Sequence, residues 1–469
     1  MQYIIFGTGD YYERYKKWFD KKDIVALIDN SPAKQNTFID GIEVLAPEIG
    51  IQRKYDVIVI LSFYVKEMKQ QLLGFGVAEK KIYHFYDLNR LFQKKIHYYP
   101  VQYYDQAKTI AEADKTRFTK ILLLSQDLTL GGPAIALFHA AIILKKHGYE
   151  VVYASMLDGP LREKLMQHEI SVIVDVNLQI KKMSEVEWLE KFSLVFCNTI
   201  NFFVFLSERK KKIPVIWWLH DSAFFYNGIN KQIMGEIDWN NLHVVSVGAV
   251  PESAFHMVAP EVPVGRLLYG TEDSYCRRKV CQEKDKIIFV TIGYVEQRKG
   301  QDLLVKAIRN LPSVLRNQTE FWLVGQDSSM LAQCLKAEIK DIPEITMKGM
   351  VGREQINHIL DIADVLICPS REDPMPTVAA EAMMHEVMCL VSDVTGTAEY
   401  ICDGRNGLTF ESENIEQLSE KIAWCIQNRK ILRDMGKEAR KIYKEQFSMC
   451  TFEKNLISLV NEVINGNER

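Results

Sequence analysis

The sequence lacks the signatures of several common kinds of site. It contains no Asp-x-Asp motif, no Gly-x4-Gly-Lys-Ser/Thr loop and no His-Glu-x2-His pair. These absences argue against a metal-clamped diphosphate, a phosphate-binding-loop ATPase and a zinc hydrolase. The nine cysteines include no Cys-x2-Cys pair, so neither a disulfide framework nor a zinc site is expected. We therefore expect no metal ion and no cofactor.

Long apolar runs and a strong net charge are also missing. No uninterrupted apolar run approaches the ~18 residues of a membrane-spanning helix, and residues 1–7 are typical of a strand and turn rather than of a signal peptide. The formal net charge of −3 gives no general reason to expect nucleic-acid binding. The sequence predicts a cytoplasmic protein without a nucleic-acid partner. Peripheral contact with the inner face of a membrane through a local patch stays open.

The length of 469 residues exceeds what one ordinary core supports, so two or three domains are expected. Short apolar runs that predict strands alternate with segments of helical period, which is the pattern of α/β domains with parallel sheets. Four such runs lie within residues 1–95, six within 119–270 and six within 271–450. The predicted divisions are a Rossmann-like module at 1–95, a linker at 96–118, two Rossmann-like halves at 119–270 and 271–450, and a helix at 451–469.

The N-terminal module carries a weak dinucleotide-type pattern. Gly7-Thr8-Gly9 lies between a predicted strand and helix, and Asp29 closes the next strand. Tyr12 stands where the third glycine of that pattern would be. Two interpretations stay open, namely a nucleotide-like fold without hydride chemistry and a true cofactor site. Residues 1–95 are also a candidate contact for a protein partner.

The stretch after the predicted strand 364–368 carries two acids. Its loop contains Asp373 and ends at Pro376, which suits the first turn of a helix running to about His385. The first backbone N–H groups of such a helix bind phosphate or sugar oxygens without a metal. Glu381 lies eight residues after Asp373, so the two acids can reach different parts of one ligand.

This segment resembles the Glu-x7-Glu signature of family 4 glycosyltransferases, which are retaining enzymes with the GT-B fold. Asp373 stands where the family more often has Glu. The resemblance covers about residues 119–469. It implies an α/β protein in which two Rossmann-like halves face a cleft, with the acceptor on the side of 119–270 and the nucleotide sugar on the side of 271–450. The small N-terminal Rossmann-like domain is additional, and the last helix is expected to cross back onto the first half.

Three further motifs match the family pattern in order. Gly131-Gly132 opens a helix where the family places a glycine loop beside the donor diphosphate. His220 follows an apolar strand and resembles the histidine that contacts the transferred sugar. Arg298 and Lys299 precede Gly300 in the loop that neutralises the leaving diphosphate, although Tyr294 replaces a common arginine.

The resemblance implies a role for each matching residue. The expected catalytic residues are His220, Arg298, Lys299 and Asp373. The expected donor-binding residues are Gly131, Gly132, Gly293, Gly325, Met350, Val351, Met375, Pro376, Thr377, Val378 and Glu381. The expected partners are a nucleotide-sugar donor, with UDP as the favoured nucleotide, and a glycan, glycolipid or glycoprotein acceptor. No metal ligand is expected.

Two other functional classes fit the same motifs. One is a transferase-like binding or chaperone subunit of a glycosylation complex whose site has decayed. The other is a sugar-nucleotide epimerase or phosphorylase with the same fold. Turnover of a nucleotide sugar with an acceptor would separate the transferase from both.

Overall fold

The computed structural model describes residues 1–92, 97–112, 119–210, 212–275 and 285–466. They form three α/β domains with separate sheets of six, eight and six strands. We name them the accessory domain (1–92), the first half (97–275) and the second half (285–466). The predicted fold class, two Rossmann-like halves and a smaller N-terminal α/β domain, is confirmed.

The accessory domain begins directly with a buried strand. Its elements are β1 (Tyr3–Phe6), α1 (Asp10–Tyr15), β2 (Ile24–Ile28), β3 (Thr37–Ile39), β4 (Ile42–Leu45), α2 (Pro47–Gly50), β5 (Val57–Ile60), α3 (Val65–Gly74), β6 (Ile82–His84) and α4 (Leu88–Phe92). The sheet order is β3-β4-β2-β1-β5-β6, and only β3 and β4 pair antiparallel. The four strands predicted from apolar runs are confirmed as β1, β2, β5 and β6. The β3–β4 hairpin was not predicted because its strands are short and partly exposed.

The Gly7-Thr8-Gly9 turn, for which a cofactor site is one of the two open interpretations, is hydrogen-bonded to Asp29 of the same domain. The Asp29 carboxylate accepts hydrogen bonds from the Thr8 backbone N–H at 3.0 Å and from the Thr8 hydroxyl at 2.5 Å. It also accepts from the Ser31 N–H at 2.9 Å. The hydroxyl of Tyr12, at the missing glycine, donates to Asp40 at 3.1 Å. The acid that would reach a ribose therefore stabilises the turn after β1 instead.

The first half contains an eight-stranded sheet. Its elements are β7 (Gln102–Tyr104), α5 (Ala107–Glu112), β8 (Lys120–Ser125), α6 (Gly132–Lys146), β9 (Glu150–Ser155), α7 (Leu161–Gln167), β10 (Ser171–Val174), β11 (Leu194–Asn198), α8 (Phe203–Leu206), β12 (Val215–Leu219), α9 (Ala223–Tyr226), α10 (Lys231–Gly235), β13 (Leu242–Ser246), α11 (Ala249–His256) and β14 (Val264–Arg266). The order is β14-β13-β12-β11-β8-β9-β10-β7, with only β7 antiparallel. All six predicted strands of this half are present.

The segment 96–118, predicted as a linker, is part of the first half wherever it is described. Strand β7 pairs with β10 at the sheet edge, and Ala107 and Ala111 of α5 are buried in the core of this half. The buried Lys120 ammonium donates to Ile110 O at 3.0 Å, which ties α5 to β8. The sequence did not indicate this because β7 is only three residues long and partly exposed. Residues 93–96 and 113–118 lie outside the described residues.

The second half has the strand order of a dinucleotide-binding sheet. Its elements are β15 (Ile287–Ile292), α12 (Gln301–Asn310), α13 (Ser313–Arg316), β16 (Thr319–Val324), α14 (Met330–Glu338), β17 (Ile345–Gly349), α15 (Arg353–Ile362), β18 (Val365–Cys368), α16 (Thr377–Met384), β19 (Met388–Ser392), β20 (Gly407–Phe410), α17 (Ile415–Gln427), α18 (Arg429–Ile442) and α19 (Met449–Gly466). The parallel order is β17-β16-β15-β18-β19-β20. It reverses between β15 and β18, where ligands of open sheets bind. All six predicted strands are confirmed.

Helix α19 crosses back onto the first half, as expected. The Phe452 ring stacks on Trp218 of β12 with a centroid separation of 5.7 Å. Glu453 pairs with Lys146 at 2.8 Å, and the Tyr149 hydroxyl donates to Asn461 at 2.8 Å. These contacts tie the two halves together. Within the described residues no helix is both long and apolar enough to cross a bilayer.

Candidate active site

The loop and helix after β18 hold the two predicted acids. Pro376 occupies the N-cap of α16, one position before the helix starts. Asp373 and Glu381 are 4% and 7% exposed. The loop is fixed by the Gly396 N–H, which donates to Asp373 O at 2.9 Å. A Cβ at Gly396 would lie 1.8 Å from Pro374 O, so the approach of the two loops requires glycine.

Lys299 lies beside Asp373. Its ammonium nitrogen is 2.5 Å from Asp373 Oδ2. The following residue, Gly300, has a φ of +68°, and a Cβ there would lie 1.9 Å from Pro369 O. The loop after β15 therefore packs directly on the loop after β18. This packing places a cation and a buried carboxylate together at the point where the strand order reverses.

Arg298 is hydrogen-bonded within the protein. Its guanidinium donates to Glu372 O at 3.1 Å and to Glu296 Oε1 at 2.8 Å. A second arginine, Arg371, makes a bidentate pair with Asp302 at 2.8 and 2.7 Å. Both arginines hold the loops that carry Lys299 and Asp373. A direct role of Arg298 at a diphosphate stays a prediction.

Glu381 is paired with a cation that the sequence did not indicate. Arg353, the first residue of α15, places Nη1 2.6 Å from Glu381 Oε1. Burial raises the pKa of Glu381 above its usual range, and the charge and hydrogen bond of Arg353 oppose that rise. The side chain of Arg353 is 55% exposed. Glu381 is thus a buried carboxylate whose pKa depends on one half-exposed arginine.

A cleft with a volume of about 560 Å³ separates α6 and α7 of the first half from α15 and α16 of the second. Gly132 faces Thr377 across it, since a Cβ on Gly132 would lie 3.9 Å from Thr377 Cγ2. The lining also includes Leu130, His139, Lys164, Tyr269, Glu272, Arg353 and Glu381. The predicted glycine loop and the start of α16 therefore border the same space, which is large enough for a nucleotide sugar.

His220 and Asp221 follow β12 in the first half. Nε2 of His220 is buried and has no hydrogen-bond partner among the described residues. Burial lowers the pKa of His220 to about 3, so its imidazole is neutral. Burial also raises the pKa of Asp221 to about 6, although its carboxylate accepts a hydrogen bond from the Ile200 N–H at 2.6 Å. The open Nε2 is suited to a hydrogen bond with a ligand hydroxyl.

Two acids of the second half contact helix starts of the first half. Oε1 of Glu372 accepts from the Ala223 N–H at the start of α9, at 2.5 Å. Oε1 of Glu399 accepts from the Ala249 N–H at the start of α11, at 2.6 Å, and Glu399 also pairs with Arg266. Carboxylates are favourable at such positions because the N–H groups there lack helical partners. The loop that carries Asp373 is therefore in contact with the first half.

The other predicted donor-binding residues differ in how exposed and how closely packed they are. A Cβ at Gly325 would lie 1.9 Å from Gly293 O, so Gly325 is required for packing of the two strand ends. The side chains of Met375 and Val378 are buried, which leaves only their backbone groups for a ligand. Met350 is exposed after β17. Gly131 is the N-cap of α6.

Two cleft residues were missed by the sequence analysis. Arg353 comes two residues after Val351 and starts a helix, so its position next to the predicted donor-binding residues Met350 and Val351 was an available signal. His139 lies two turns along α6 from Gly132, and its Nδ1 is buried without a partner among the described residues. A single histidine in an apolar helix gave no signal.

Comparison with known families assigns each domain separately. The family described as Glycosyl-transferase family 4 matches residues 117–242. The family described as Glycosyl transferases group 1 matches residues 276–442, which include Lys299, Asp373 and Glu381. Residues 1–83 match the family described as C2185-like, N-terminal. The matches therefore separate the accessory domain from the two halves, as the sheets do.

Individual relatives are distant. Lipopolysaccharide glucosyltransferase WaaG of Escherichia coli is 25% identical over 180 residues, which cover 38% of this chain and 45% of WaaG, less than half of its length. Spore coat protein SA of Bacillus subtilis is 23% identical over 357 residues, covering 68% of this chain and 91% of that protein. The crystal structure of Anabaena Alr3699/HepE in complex with UDP-glucose covers 73% of this chain and 99% of its own, with a TM-score of 0.61 and 17% identity. The first half of this chain thus matches Glycosyl-transferase family 4 and the second half matches Glycosyl transferases group 1, and together they have the GT-B fold seen in HepE.

Proposed function

We propose that the protein is a retaining glycosyltransferase that takes a hexose from a UDP-sugar and transfers it to a glycan, lipid-linked or protein-linked acceptor. The observation that carries the proposal is the buried Asp373–Lys299 pair where the strand order reverses, with Glu381 facing Gly132 across the cleft. An acid pair on a loop and helix can hold a sugar and a ribose at the same time. The family assignment supports the reaction class.

The donor occupies the cleft with its nucleoside toward Glu381. The carboxylate of Glu381 accepts hydrogen bonds from the ribose hydroxyls, and the backbone at Met350 and Val351 holds the base. Asp373 and the backbone from Met375 to Val378 hold hydroxyls of the transferred sugar. UDP is the favoured nucleotide because the structurally similar HepE has been solved with UDP and with UDP-glucose.

Lys299 stabilises the departing diphosphate. As the bond between the sugar and the phosphate oxygen breaks, negative charge grows on that oxygen. The Lys299 ammonium is already held against Asp373, and the first N–H groups of α6, which begins at Gly132, border the cleft, so little reorganisation is needed. No metal ion is required in this scheme.

Retention follows from attack on the same face of the sugar. The acceptor oxygen bonds to the anomeric carbon, the bond to the diphosphate breaks, and the acceptor proton moves to the leaving phosphate. His220 is neutral and its pKa of about 3 makes it a weak base, so it hydrogen-bonds the sugar rather than removing a proton. Transfer of a labelled sugar, followed by NMR assignment of the anomer, tests retention.

Calorimetry with UDP, GDP, ADP and CMP tests the proposal directly. We expect selective micromolar binding of UDP, and loss of that binding in Glu381→Ala. Binding of none of the four nucleotides by the folded protein would contradict the proposal and favour the decayed binding subunit. Selective binding of a different nucleotide would keep the transferase and replace the donor.

Gly132→Ala should weaken UDP binding about tenfold without loss of stability. Alanine is favoured over glycine in a helix, and its Cβ would make only ordinary contact with Thr377. The added methyl group would occupy the space assigned to the diphosphate. Calorimetry and thermal unfolding measure the two effects. Gly235→Ala, with no neighbouring atom near its Cβ, is the matched control. Unchanged affinity in Gly132→Ala would remove the glycine loop from the donor site.

A further inference from the structure

The accessory domain packs on segments that follow strands of the first half. The rings of Phe63 and Phe225 are 5.2 Å apart, and those of Tyr86 and Phe203 are 5.6 Å apart. A Cβ at Gly228 would lie 3.1 Å from Val65 Cγ2. These partners belong to α8, α9 and the turn after α9, which follow β11 and β12. The domain therefore covers part of the edge where an open sheet binds its ligands.

Polar contacts fix the accessory domain in this position. The Asn89 side chain donates to Ile180 O at 2.8 Å. The Tyr99 N–H donates to Asn177 Oδ1 at 2.8 Å, and Asn177 Nδ2 donates back to Tyr99 O at 2.8 Å. The Tyr99 hydroxyl donates to Lys17 O at 2.7 Å. Asn177 thus fixes Tyr99 within the first half, and the Tyr99 hydroxyl bonds that half to the accessory domain.

All three domains meet around α9. The Tyr64 ring of the accessory domain makes an edge contact with Phe224, at 5.6 Å between centroids and 73° between planes. The adjacent residue, Ala223, donates its N–H to Glu372 of the second half. Glu372 directly precedes Asp373. The Ala223–Glu372 hydrogen bond therefore connects the Tyr64–Phe224 pair to Asp373, which is assigned to the transferred sugar.

Tyr64 is unusual in this junction because its side chain stays open to solvent. It is 58% exposed, whereas Phe63 and Phe225 next to it are largely covered. An exposed aromatic ring suits a pyranose, which has an apolar C–H face and a rim of hydroxyl groups. The Phe224 ring, at 73° to the Tyr64 ring, would border one side of a sugar stacked on Tyr64.

We propose that Tyr64 and Phe224 form an acceptor subsite that stacks a sugar ring of a glycan acceptor. The accessory domain supplies one ring and the first half the other. This proposal rests on the proposed function, because it requires a sugar donor at Asp373. It gives the accessory domain a binding role in place of cofactor chemistry, consistent with the closed turn at Asp29.

Binding of the UDP-saturated protein to a glycan array tests the subsite. We expect the wild type to bind at least one glycan. Tyr64→Ala should bind that glycan at least about tenfold more weakly, and Tyr64→Phe should retain the wild-type affinity. Phe38→Ala is the matched control, since Phe38 is 70% exposed on the far edge strand β3 of the same domain. Failure of the wild type to bind any glycan, or equal binding by wild type and Tyr64→Ala, would overturn the proposal, as would equal losses in Tyr64→Ala and Phe38→Ala.

Two parallel measurements on the same samples separate this proposal from its alternatives. Calorimetry with UDP should give the same affinity for all four proteins, and absence of UDP binding in the wild type would show that the proposed function itself has failed. Flotation with anionic phosphatidylserine vesicles tests a lipid surface as the occupant. Loss of vesicle binding in Tyr64→Ala with unchanged glycan binding would overturn the carbohydrate subsite in favour of a membrane contact.

Discussion

Replacing Lys299 by alanine should lower kcat/KM for the donor by about two to three orders of magnitude. Loss of one preorganised group that stabilises developing negative charge typically costs ~2.7–4 kcal/mol. Lys299 is suited to that role because the close packing of Gly300 on Pro369 O fixes its loop. Steady-state kinetics with the donor measure the loss. Affinity for the intact UDP-sugar should change less than the rate, since the charge on the leaving oxygen develops only as its bond to the sugar breaks.

The Lys299→Ala variant needs two controls. It leaves Asp373 buried without its cation, which destabilises the fold whether or not Lys299 acts in catalysis. The double variant Lys299→Ala/Asp373→Asn removes both charges and should regain thermal stability while staying inactive. Lys306→Ala removes an exposed lysine of α12, the helix that follows Lys299, and should behave as wild type. If Lys299→Ala retains a normal kcat/KM, another group stabilises the charge on the leaving oxygen, and Arg298 is the first to examine.

The sequence predicted the two halves well because parallel strands buried on both faces appear as continuous apolar runs. Strand β18 is buried at all four positions, and β8 at all six. Ligand-binding residues in such sheets follow the strands, so polar and glycine residues after apolar runs marked the Lys299, Asp373 and Gly132 loops in advance. In this fold the apolar runs that predict the strands therefore also locate the loops that carry the site residues.

Contacts between distant segments could not be predicted in the same way. The pairing of Arg353 with Glu381 joins residues 28 positions apart on two helices, and neither helix shows a pattern that requires it. Tyr64 meets Phe224 only because two domains pack together. The edge strand β7 was read as a linker because a short, exposed strand on a sheet edge has no apolar run.

Glu381→Ala should reduce UDP affinity by at least about 100-fold. Hydrogen bonds to a charged group are worth ~1.5–3 kcal/mol each, and the carboxylate is assigned two ribose hydroxyls. The fold should tolerate the change because it removes a buried charge and leaves Arg353, whose side chain is 55% exposed, to water. Calorimetry and thermal unfolding measure both effects. Glu354→Ala, an exposed acid one residue along α15 from Arg353, is the matched control.

The Arg353→Gln variant tests whether Glu381 binds the donor as a carboxylate. Burial raises the pKa of Glu381 and Arg353 opposes that rise, so the pKa should be higher in the variant. The ribose hydroxyls donate hydrogen bonds and therefore favour the ionised form of the Glu381 carboxyl group. Affinity is therefore complete above the pKa of the free protein and falls by up to about tenfold per pH unit below it. The decline in Arg353→Gln should begin at a higher pH than in the wild type.

UDP-glucose is the preferred ligand for this titration because its diphosphate keeps the same charge throughout. Tyr269, Glu272 and His139 face the same cleft as Glu381 and Arg353. Burial lowers the pKa of His139, so this residue is also a possible source of pH dependence. His139→Asn serves as the control and should leave the curve in place. If Arg353→Gln and the wild type lose affinity at the same pH, Glu381 does not hold the ribose through its charge, and the nucleoside must lie elsewhere in the cleft.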